Sequence, residues 1–372
     1  MCSLSHSWDG FQQCLLDVPE AAFPEGLTRL HGQFMWLLEV VPVRQFVDSP
    51  WRLGRGRRQI DRRALLRAFL AKAWFNLPTT VALRDRLLVD RTLRQLCGWE
   101  QRREVPSEAT FSRAYAAFAR SNVGDELHAV LVAAHASKLL FWHLSRDSTA
   151  IPARERPQTP DPAPAATAPP PKRQRGRPRK GEEPPAPPPT RLTQQYAAPE
   201  QTAQQLDALP RKCDWGCKKN AEGKKVSWKG YKLHVDTGDD GLPLLAVTTS
   251  ASLHDSQPAI PMARTTAKRV TSLYDLMDSA YDAELIWHTS YDLQHVPIIA
   301  ENPRRGAPKL PMEPDRAERF KKRSGAERFN SLLKDCHGGR TVRVRGATKV
   351  HAHLMYGVLA IFVRVLAGWP DG

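Results

Sequence analysis

The chain has 372 residues, of which 41% are hydrophobic, so its length predicts two or three domains and its composition allows a sizeable core. Its formal net charge of +16 and isoelectric point near 9.8 indicate a polyanionic partner, which favours nucleic acid over an anionic membrane. Six cysteines in a chain of this length exclude a disulfide framework, and the N-terminal residues lack a secretory signal pattern, so we expect a reduced, cytoplasmic protein.

Residues 1–137 are predicted to form a helical domain that binds DNA. Asp61 is placed to cap one helix, Thr79 or Thr80 to cap the next, and Ser107 to start a segment with aromatic residues at helical spacing. One helix entry is strongly basic and contains Arg57, Arg58, Arg62, Arg63 and Arg67. A plain helical bundle with a basic face is the alternative interpretation.

The pattern changes in residues 138–153, which are predicted to form the first strand of a second domain. The apolar run 139–144 leads to Asp147, and the pattern places this aspartate at the tip of the strand. Residues 154–200 are rich in Pro and Ala and carry a basic cluster, so they are predicted to form a disordered insert. Residues 201–372 are predicted to complete the second domain.

Four further strands and two helices are predicted after the insert. The strands are Trp228–Val235, Leu244–Thr249, Leu273–Met277 and Val296–Ala300, and the helices lie near Ala317–Cys336 and Lys349–Leu366. Strands followed by helices predict an α/β sheet domain. The most apolar stretch, Val350–Trp369, is interrupted by histidines and an arginine, so it predicts a buried core helix and no membrane span.

Three acidic residues stand out as candidates for metal binding. Asp147 and Asp278 each follow a short apolar strand, and carboxylates at strand ends are suitable oxygen ligands for Mg²⁺. Glu327 lies on a predicted amphipathic helix, and helical spacing places Arg323 and Lys334 on the same face. The alternatives are turn-forming aspartates and a helix face that meets only water.

Three motifs occur in a fixed order along the chain. They are Leu144-Ser-Arg-Asp-Ser-Thr-Ala-Ile151, Met277-Asp-Ser-Ala-Tyr-Asp282 and Arg323-x3-Glu327-x6-Lys334. Together they resemble the DDE transposases of bacterial insertion sequences, in the group with a Tyr-Arg-Glu-Lys signature. The segments Trp228–His234 and Ser252–Ser256 are similar to the same family, and the resemblance covers roughly residues 139–366 outside the insert.

The resemblance implies a ribonuclease H-like mixed sheet flanked by helices and preceded by an all-α DNA-binding domain. It implies two Mg²⁺ ions, replaceable by Mn²⁺, held by Asp147, Asp278 and Glu327. Arg323 and Lys334 would contact DNA phosphates. Phe320 stands where the signature has Tyr, so it keeps the capacity to stack but has no hydroxyl.

The implied activity is metal-dependent cleavage and strand transfer at the ends of an insertion sequence. The implied partners are double-stranded terminal repeats, target DNA and a second copy of the chain, in the cytoplasm at the bacterial nucleoid. Two alternatives remain: an inactive DNA-binding regulator derived from a transposase, and a nuclease of the same fold without strand transfer. If Asp278 is not a ligand, Asp275 or Asp282 is the next candidate.

Three weaker signals carry their own alternatives. Arg175, Gly176, Arg177 and Pro178 resemble an AT-hook that enters a narrow minor groove, although a generic basic linker explains them equally well. Cys213 and Cys217 near His234 suggest zinc, but a fourth ligand is missing, which favours ordinary thiols. His254 and Asp255 are predicted to form a turn or helix cap, with contact to the metal site as the alternative.

Overall fold

The structure is a computed structural model that describes residues 26–47, 60–157, 188–219, 222–303 and 311–369. Helices make up the described part that precedes the first strand. They are α1 (Arg29–Val40), α2 (Val43–Phe46), α3 (Arg62–Trp74), α4 (Thr80–Val89), α5 (Arg91–Cys97), α6 (Glu108–Arg120) and α7 (Val123–His135). This helical region agrees with the all-α domain that the sequence predicts.

The predicted caps explain where these helices begin. The Asp61 carboxylate accepts the backbone N–H of Arg63 at the start of α3, and the Thr79 hydroxyl accepts the N–H of Ala82 at the start of α4. Ser107 precedes α6, but its hydroxyl makes no capping bond to the backbone. The sequence left Thr79 and Thr80 open, and the structure selects Thr79.

A mixed sheet of six strands follows, and helices pack on it. The strands are β1 (Leu140–Pro152), β2 (Asp214–Lys219), β3 (Lys225–Thr237), β4 (Pro243–Ser250), β5 (Thr271–Met277) and β6 (Val296–Ile299). The helices are α8 (Arg191–Ala197), α9 (Thr202–Asp207), α10 (Ala259–Ala267), α11 (Glu284–Asp292), α12 (Pro314–Phe320), α13 (Ser324–Cys336) and α14 (Ala347–Leu366). The α/β class predicted from the sequence is therefore confirmed.

The strand order is β2-β3-β1-β5-β6, and β4 also pairs with β3. Strand β1 is antiparallel to β3 and parallel to β5, while β5 is parallel to β6. The loop 238–241 connects β3 to β4 as predicted. Strand β2 was not predicted, because its Trp-Gly-Cys-Lys sequence lacks the apolar run by which the other strands were found.

The prediction that Asp147 lies at a strand tip is wrong. Strand β1 continues to Pro152, so Asp147 lies inside it. The reason is that β3 supplies backbone partners for β1 from Ser145 to Pro152, whereas the parallel pairing with β5 ends at Arg146. Asp147 therefore lies just past the end of the β1–β5 pairing and within the β1–β3 pairing.

The predicted disordered insert ends earlier than residue 200. Helix α8 begins after Thr190, whose hydroxyl accepts the N–H of Thr193. Its Leu192 and Tyr196 pack against an apolar cluster, and the Gln195 amide donates to the Gln257 carbonyl. The prediction is wrong for Arg191–Ala197 because apolar side chains return there. Residues 158–187 lie outside the part of the chain that the structure describes.

Helix α14 connects the helical region to the sheet. Its Tyr356 and Phe362 belong to the core of the N-terminal helices, while its Leu354 and Val358 pack under the sheet with β3. The helix is long and apolar enough to cross a membrane, but 72% of its most apolar stretch is buried inside the protein. The prediction of a buried core helix is confirmed.

Candidate active site

The sheet register places Asp147 and Asp278 side by side. The parallel pairing of β1 with β5 ends with Arg146 opposite Met277. The next residue after each of these two is an aspartate, Asp147 or Asp278. Neighbouring strands lie about 4.8 Å apart, and residues paired across a parallel ladder point to the same face. The two carboxylates predicted from separate motifs thus belong to one site.

Asp278 is held by the turn that follows β5. Its carboxylate accepts the backbone N–H of Ala280 at 2.9 Å. The two alternative aspartates have other partners: Asp275 is buried and accepts bonds from Ser290 and His295, and Asp282 accepts from the Trp287 indole. These contacts support Asp278 over its neighbours.

Helix α13 carries Glu327, the third candidate carboxylate, and packs beside the strands. Its first turn packs closely on the β3–β4 loop, because Gly241 has φ +82° and an added Cβ would lie 2.8 Å from the Gly325 carbonyl oxygen. The helix buries Phe329 and Leu333 against the sheet. The opposite face presents Glu327 to solvent, as the helical spacing predicts.

Arg323 connects the strand carboxylate to the helix carboxylate. Its Nη1 lies 3.4 Å from Asp147 Oδ1, and its Nη2 donates to Glu327 Oε1 at 2.6 Å. Asn330, which was not predicted from the sequence, donates from Nδ2 to Asp147 Oδ2 at 3.0 Å. It follows Glu327 by three residues on the same helix face, so helical spacing could have identified it.

Like charges and burial shape the ionisation of the pair. Burial raises the pKa of Asp147 to about 6, Asp278 adds to the rise, and Arg323 opposes it. The pKa of Asp278 is also raised, mainly by burial, with Asp255 contributing. A cation bound at this pair would favour the ionised form of both carboxylates and so oppose the effect of burial on their pKa values.

His254 and Asp255 lie at the turn before α10, as predicted, and the Asp255 carboxylate also lies near the two aspartates. This carboxylate forms an ion pair with Lys232 Nζ at 2.8 Å. Burial opposes the ionisation of Asp255, but His234 and Lys232 outweigh it and lower the pKa of the carboxyl. Its effect on the pKa of Asp147 and Asp278 shows that it belongs to their electrostatic environment.

The single helix predicted near Ala317–Cys336 is interrupted: Phe320 lies on α12, a tight turn follows at Lys321–Arg323, and Lys334 lies in the last turn of α13. Lys334 is half-buried, and burial lowers its pKa with help from the positive charges of Lys218 and Arg340. Phe320 ends α12, its ring centroid lies 5.8 Å from the Arg323 guanidinium carbon, and it lines a cavity of about 630 Å³ with Trp287. Phe320 thus flanks the arginine and does not touch the carboxylates directly.

The carboxylates are not arranged as a finished metal cage. Among the residues with described positions, no three His, Cys, Asp or Glu side chains stand close enough together to hold one ion. Glu327 joins the aspartates through Arg323, and 59% of its side chain is exposed. The donor set still suits a hard divalent cation, because its ligands are carboxylate oxygens. A cation would also stabilise the ionised form of Asp147 and Asp278, which burial disfavours.

The remaining sequence candidates do not join this site. Cys213 is buried and directs its Sγ to the Glu155 carbonyl oxygen, Cys217 is exposed, and His234 bonds the Thr249 hydroxyl. This separation agrees with ordinary thiols. The basic motif at 175–178 lies outside the described residues.

Two family models match the chain. One, described as a transposase DDE domain, matches residues 145–363, and the other, described as a transposase domain (DUF772), matches residues 33–117. Searches of the curated proteins and of the solved structures gave no significant match. The first match spans more than half of the chain and includes Asp147, Asp278 and Glu327. The chain therefore belongs to the DDE transposases of insertion-sequence type, enzymes that bind DNA, cleave it and transfer its strands with the help of divalent metal ions.

Proposed function

We propose that Asp147, Asp278 and Glu327 are the catalytic, metal-binding carboxylates of this transposase. The observation that carries the proposal is the shared network: the register sets the aspartates side by side, and Arg323 links Asp147 to Glu327. The two alternative aspartates are less suitable, because Asp275 is buried and accepts from Ser290 and His295, and Asp282 accepts from the Trp287 indole. Asn330 orients Asp147 by its hydrogen bond.

We infer two Mg²⁺ ions, replaceable by Mn²⁺, as the metals of this site. Bound there, they supply an activated water or 3′-hydroxyl and a stabilised leaving oxygen for in-line displacement at phosphorus. Asp147 and Asp278 provide a preorganised pair of oxygen ligands. Glu327 is exposed, so its side chain can turn toward them once Arg323 is drawn away by a phosphate.

Arg323 and Lys334 are assigned to the phosphates beside the scissile bond. A guanidinium makes a bidentate fork to phosphate, and an ammonium contributes a compact charge. Arg323 Nη1 has no hydrogen-bond acceptor although it is buried, so it has donor capacity to offer to a DNA oxygen. Phe320, next to Arg323, is assigned to stacking, and we propose that the chain belongs to the Tyr-Arg-Glu-Lys group with Phe at the Tyr position.

The domain roles follow from the same assignment. Residues 1–137 would recognise DNA, and the catalytic domain would begin at 138–153 and resume after the insert. Arg175, Gly176, Arg177 and Pro178 would add minor-groove affinity, so deleting 172–180 should weaken DNA binding without stopping cleavage. We propose that two copies of the chain act on paired terminal repeats and capture target DNA, within the bacterial cytoplasm at the nucleoid.

The metal site can be tested without measuring transposition. Fe²⁺ that replaces Mg²⁺ generates hydroxyl radicals with peroxide and ascorbate, and these cut the nearby backbone. We expect fragments that end near Asp147, Asp278 and Glu327, and we expect Asp278→Asn to remove them. Excess Mg²⁺ should compete with Fe²⁺ and suppress the cuts. Fragments that map elsewhere, or cuts that survive Asp278→Asn, would refute the assigned site.

A further inference from the structure

A two-stranded arm extends from the sheet beside the active site. Residues Gly230–Thr237 of β3 pair with β1, whereas Lys225–Lys229 have strand partners only in β2. The arm leaves the sheet at Gly230, which has φ +147° and where an added Cβ would lie 2.2 Å from the Ile151 carbonyl oxygen. Only glycine allows the strand to turn there so close to β1.

The surface of this arm is basic and exposed. Residues 211–229 contain seven Lys or Arg side chains and two acidic ones. Trp215 is 58% exposed and Val226 is 44% exposed, so the arm presents apolar side chains to solvent among the lysines. Lys218 and Lys225 are exposed, and neither forms an ion pair with any carboxylate in the described ranges. Packing inside the protein therefore does not account for these side chains.

At the base of the arm, β3 packs on the catalytic helix α13, because Leu233 and Phe329 belong to one apolar cluster. Lys218 is among the positive charges that lower the pKa of Lys334, which we assign to a phosphate. Along β3, Val235 lies opposite Asp147, and Lys225 is ten residues further toward the tip. Ten extended residues span at most about 33 Å, which is close to one turn of duplex DNA.

We propose that this basic arm, Asp214–Lys219 with Lys225–Gly230, binds duplex DNA next to the scissile phosphate. Lys218 and Lys225 contact phosphates and continue the basic track that begins with Lys334. Trp215 packs on the sugar edge of the same duplex, where an amphipathic ring is favourable. A two-stranded ribbon has the width that a major groove admits. The proposal rests on the proposed function for the position of the scissile phosphate.

The salt dependence of binding reports how many phosphates the protein neutralises. Each phosphate interaction that a variant removes makes the negative slope of log K against log salt shallower by about 0.9, so Lys218→Gln with Lys225→Gln should make it shallower by about 1.8. The corresponding decrease of affinity at 0.1 M salt is roughly 10- to 60-fold. The measurement is anisotropy of a labelled, mixed-sequence duplex several helical turns long, without divalent metal. The matched control is Lys138→Gln with Lys268→Gln, two exposed lysines near the opposite ends of β1 and β5.

The exposed thiol of Cys217 gives an independent test of contact. A benzophenone attached to Cys217 should crosslink the wild-type chain to the same duplex, and Cys217→Ser should remove that crosslink. Equal salt slopes for the arm variant and the lysine control, or no crosslink that depends on Cys217, would overturn the proposal. The proposal would also be overturned if the arm variant sedimented differently from the wild type without DNA but kept the wild-type salt slope. The arm would then join two copies of the chain.

The two proposals fail separately. Asp147→Asn should bind the duplex with the wild-type slope and give the same Cys217 crosslink, since that carboxylate makes no phosphate contact. Normal cleavage by Asp147→Asn would refute the catalytic assignment and leave the arm untouched. A normal slope for the arm variant together with inactive Asp147→Asn would refute the arm alone.

Discussion

Arg323 Nη1 lies 3.4 Å from Asp147 Oδ1, and this contact joins the start of helix α13 to the central strand β1. The same guanidinium bonds Glu327, so one positive charge offsets the repulsion between two carboxylates. A residue in this position can serve the site in two ways. It opposes the rise that burial causes in the pKa of Asp147. It is also placed to transfer its hydrogen bonds to a phosphate when DNA binds.

Loss of either basic side chain on this helix face should slow the chemical step. Each charge-assisted phosphate bond contributes about 1.5–3 kcal/mol, so Arg323→Ala and Lys334→Ala should each reduce the cleavage rate by roughly 10- to 150-fold. The measurement is single-turnover cleavage at saturating protein, where weaker binding no longer matters. Thermal melts should remain close to the wild type for Lys334→Ala, because half-exposed polar positions contribute little stability. Rates near wild type for both variants would mean that this face is only solvated.

The opposite face of the same helix should respond in the reverse way. Phe329 is 1% exposed and Leu333 is 0% exposed, so truncating either one leaves a cavity under the sheet. Phe329→Ala and Leu333→Ala should lower the free energy of unfolding by about 2–5 kcal/mol. Urea titrations give these values, and the cleavage rate of the fraction that remains folded should stay normal. A stable variant with a slow chemical step would contradict this division of the helix.

A buried ion pair supports β1 on the face opposite the catalytic one. Arg146 bonds Asp236 through Nε at 2.7 Å and Nη2 at 2.8 Å, and Thr266 donates to the same carboxylate. Arg146→Met would leave the Asp236 charge without its main partner, so we expect a loss of about 3–5 kcal/mol of unfolding free energy. Adding Asp236→Leu should restore much of that loss. Equal stability of the single and double variants would show that the pair is not coupled.

Lys72 should make the stability of the protein depend on pH in the alkaline range. It is 4% exposed, and its Nζ lies 3.4 Å from His353 Nδ1. Burial lowers the pKa of Lys72 from its usual 10.5 to about 8. Between pH 8 and 10.5, Lys72 is protonated in the unfolded chain but mostly neutral in the folded protein. The Lys72 contribution to the unfolding free energy should therefore rise with pH across about 8 to 10.5.

The variant Lys72→Met isolates this contribution. The stability difference between wild type and Lys72→Met should shift by up to about 3 kcal/mol in favour of the wild type from neutral to strongly alkaline pH. Urea titrations of both proteins across that range provide the measurement. A constant difference would mean that Lys72 keeps its usual pKa in the folded protein.

Sequence patterns indicated most residues of this candidate site, because each residue lies in a recognisable local pattern. Asp147 and Asp278 follow apolar runs, and helical spacing set Glu327 beside Arg323. The sequence could not show that Asp147 lies inside a strand, because the length of β1 depends on its pairing with β3. Asn330 was missed although helical spacing places it near Glu327, because its hydrogen bond to Asp147 joins residues that are far apart in the sequence.

The other differences between the predicted and the observed elements also arise from tertiary contacts. Strand β2 has no apolar run, and it forms because β3 extends past the sheet and offers a free edge. Helix α8 lies in a segment whose composition is dominated by proline, but Leu192 and Tyr196 find partners on α10 and α11. Composition averages over such residues and cannot detect the few that pack.

The most direct test of the catalytic assignment compares cleavage by Asp147→Asn, Asp278→Asn and Glu327→Gln with cleavage by two matched surface variants. Asp207→Asn and Glu284→Gln serve as controls, because both side chains are more than 80% exposed and each pairs with a residue four positions further along. With the element's own DNA ends and Mg²⁺, the three site variants should bind with near wild-type affinity and give no detectable cleavage, while the controls cleave normally. Cleavage at the wild-type rate by any one of the three would remove that residue from the site.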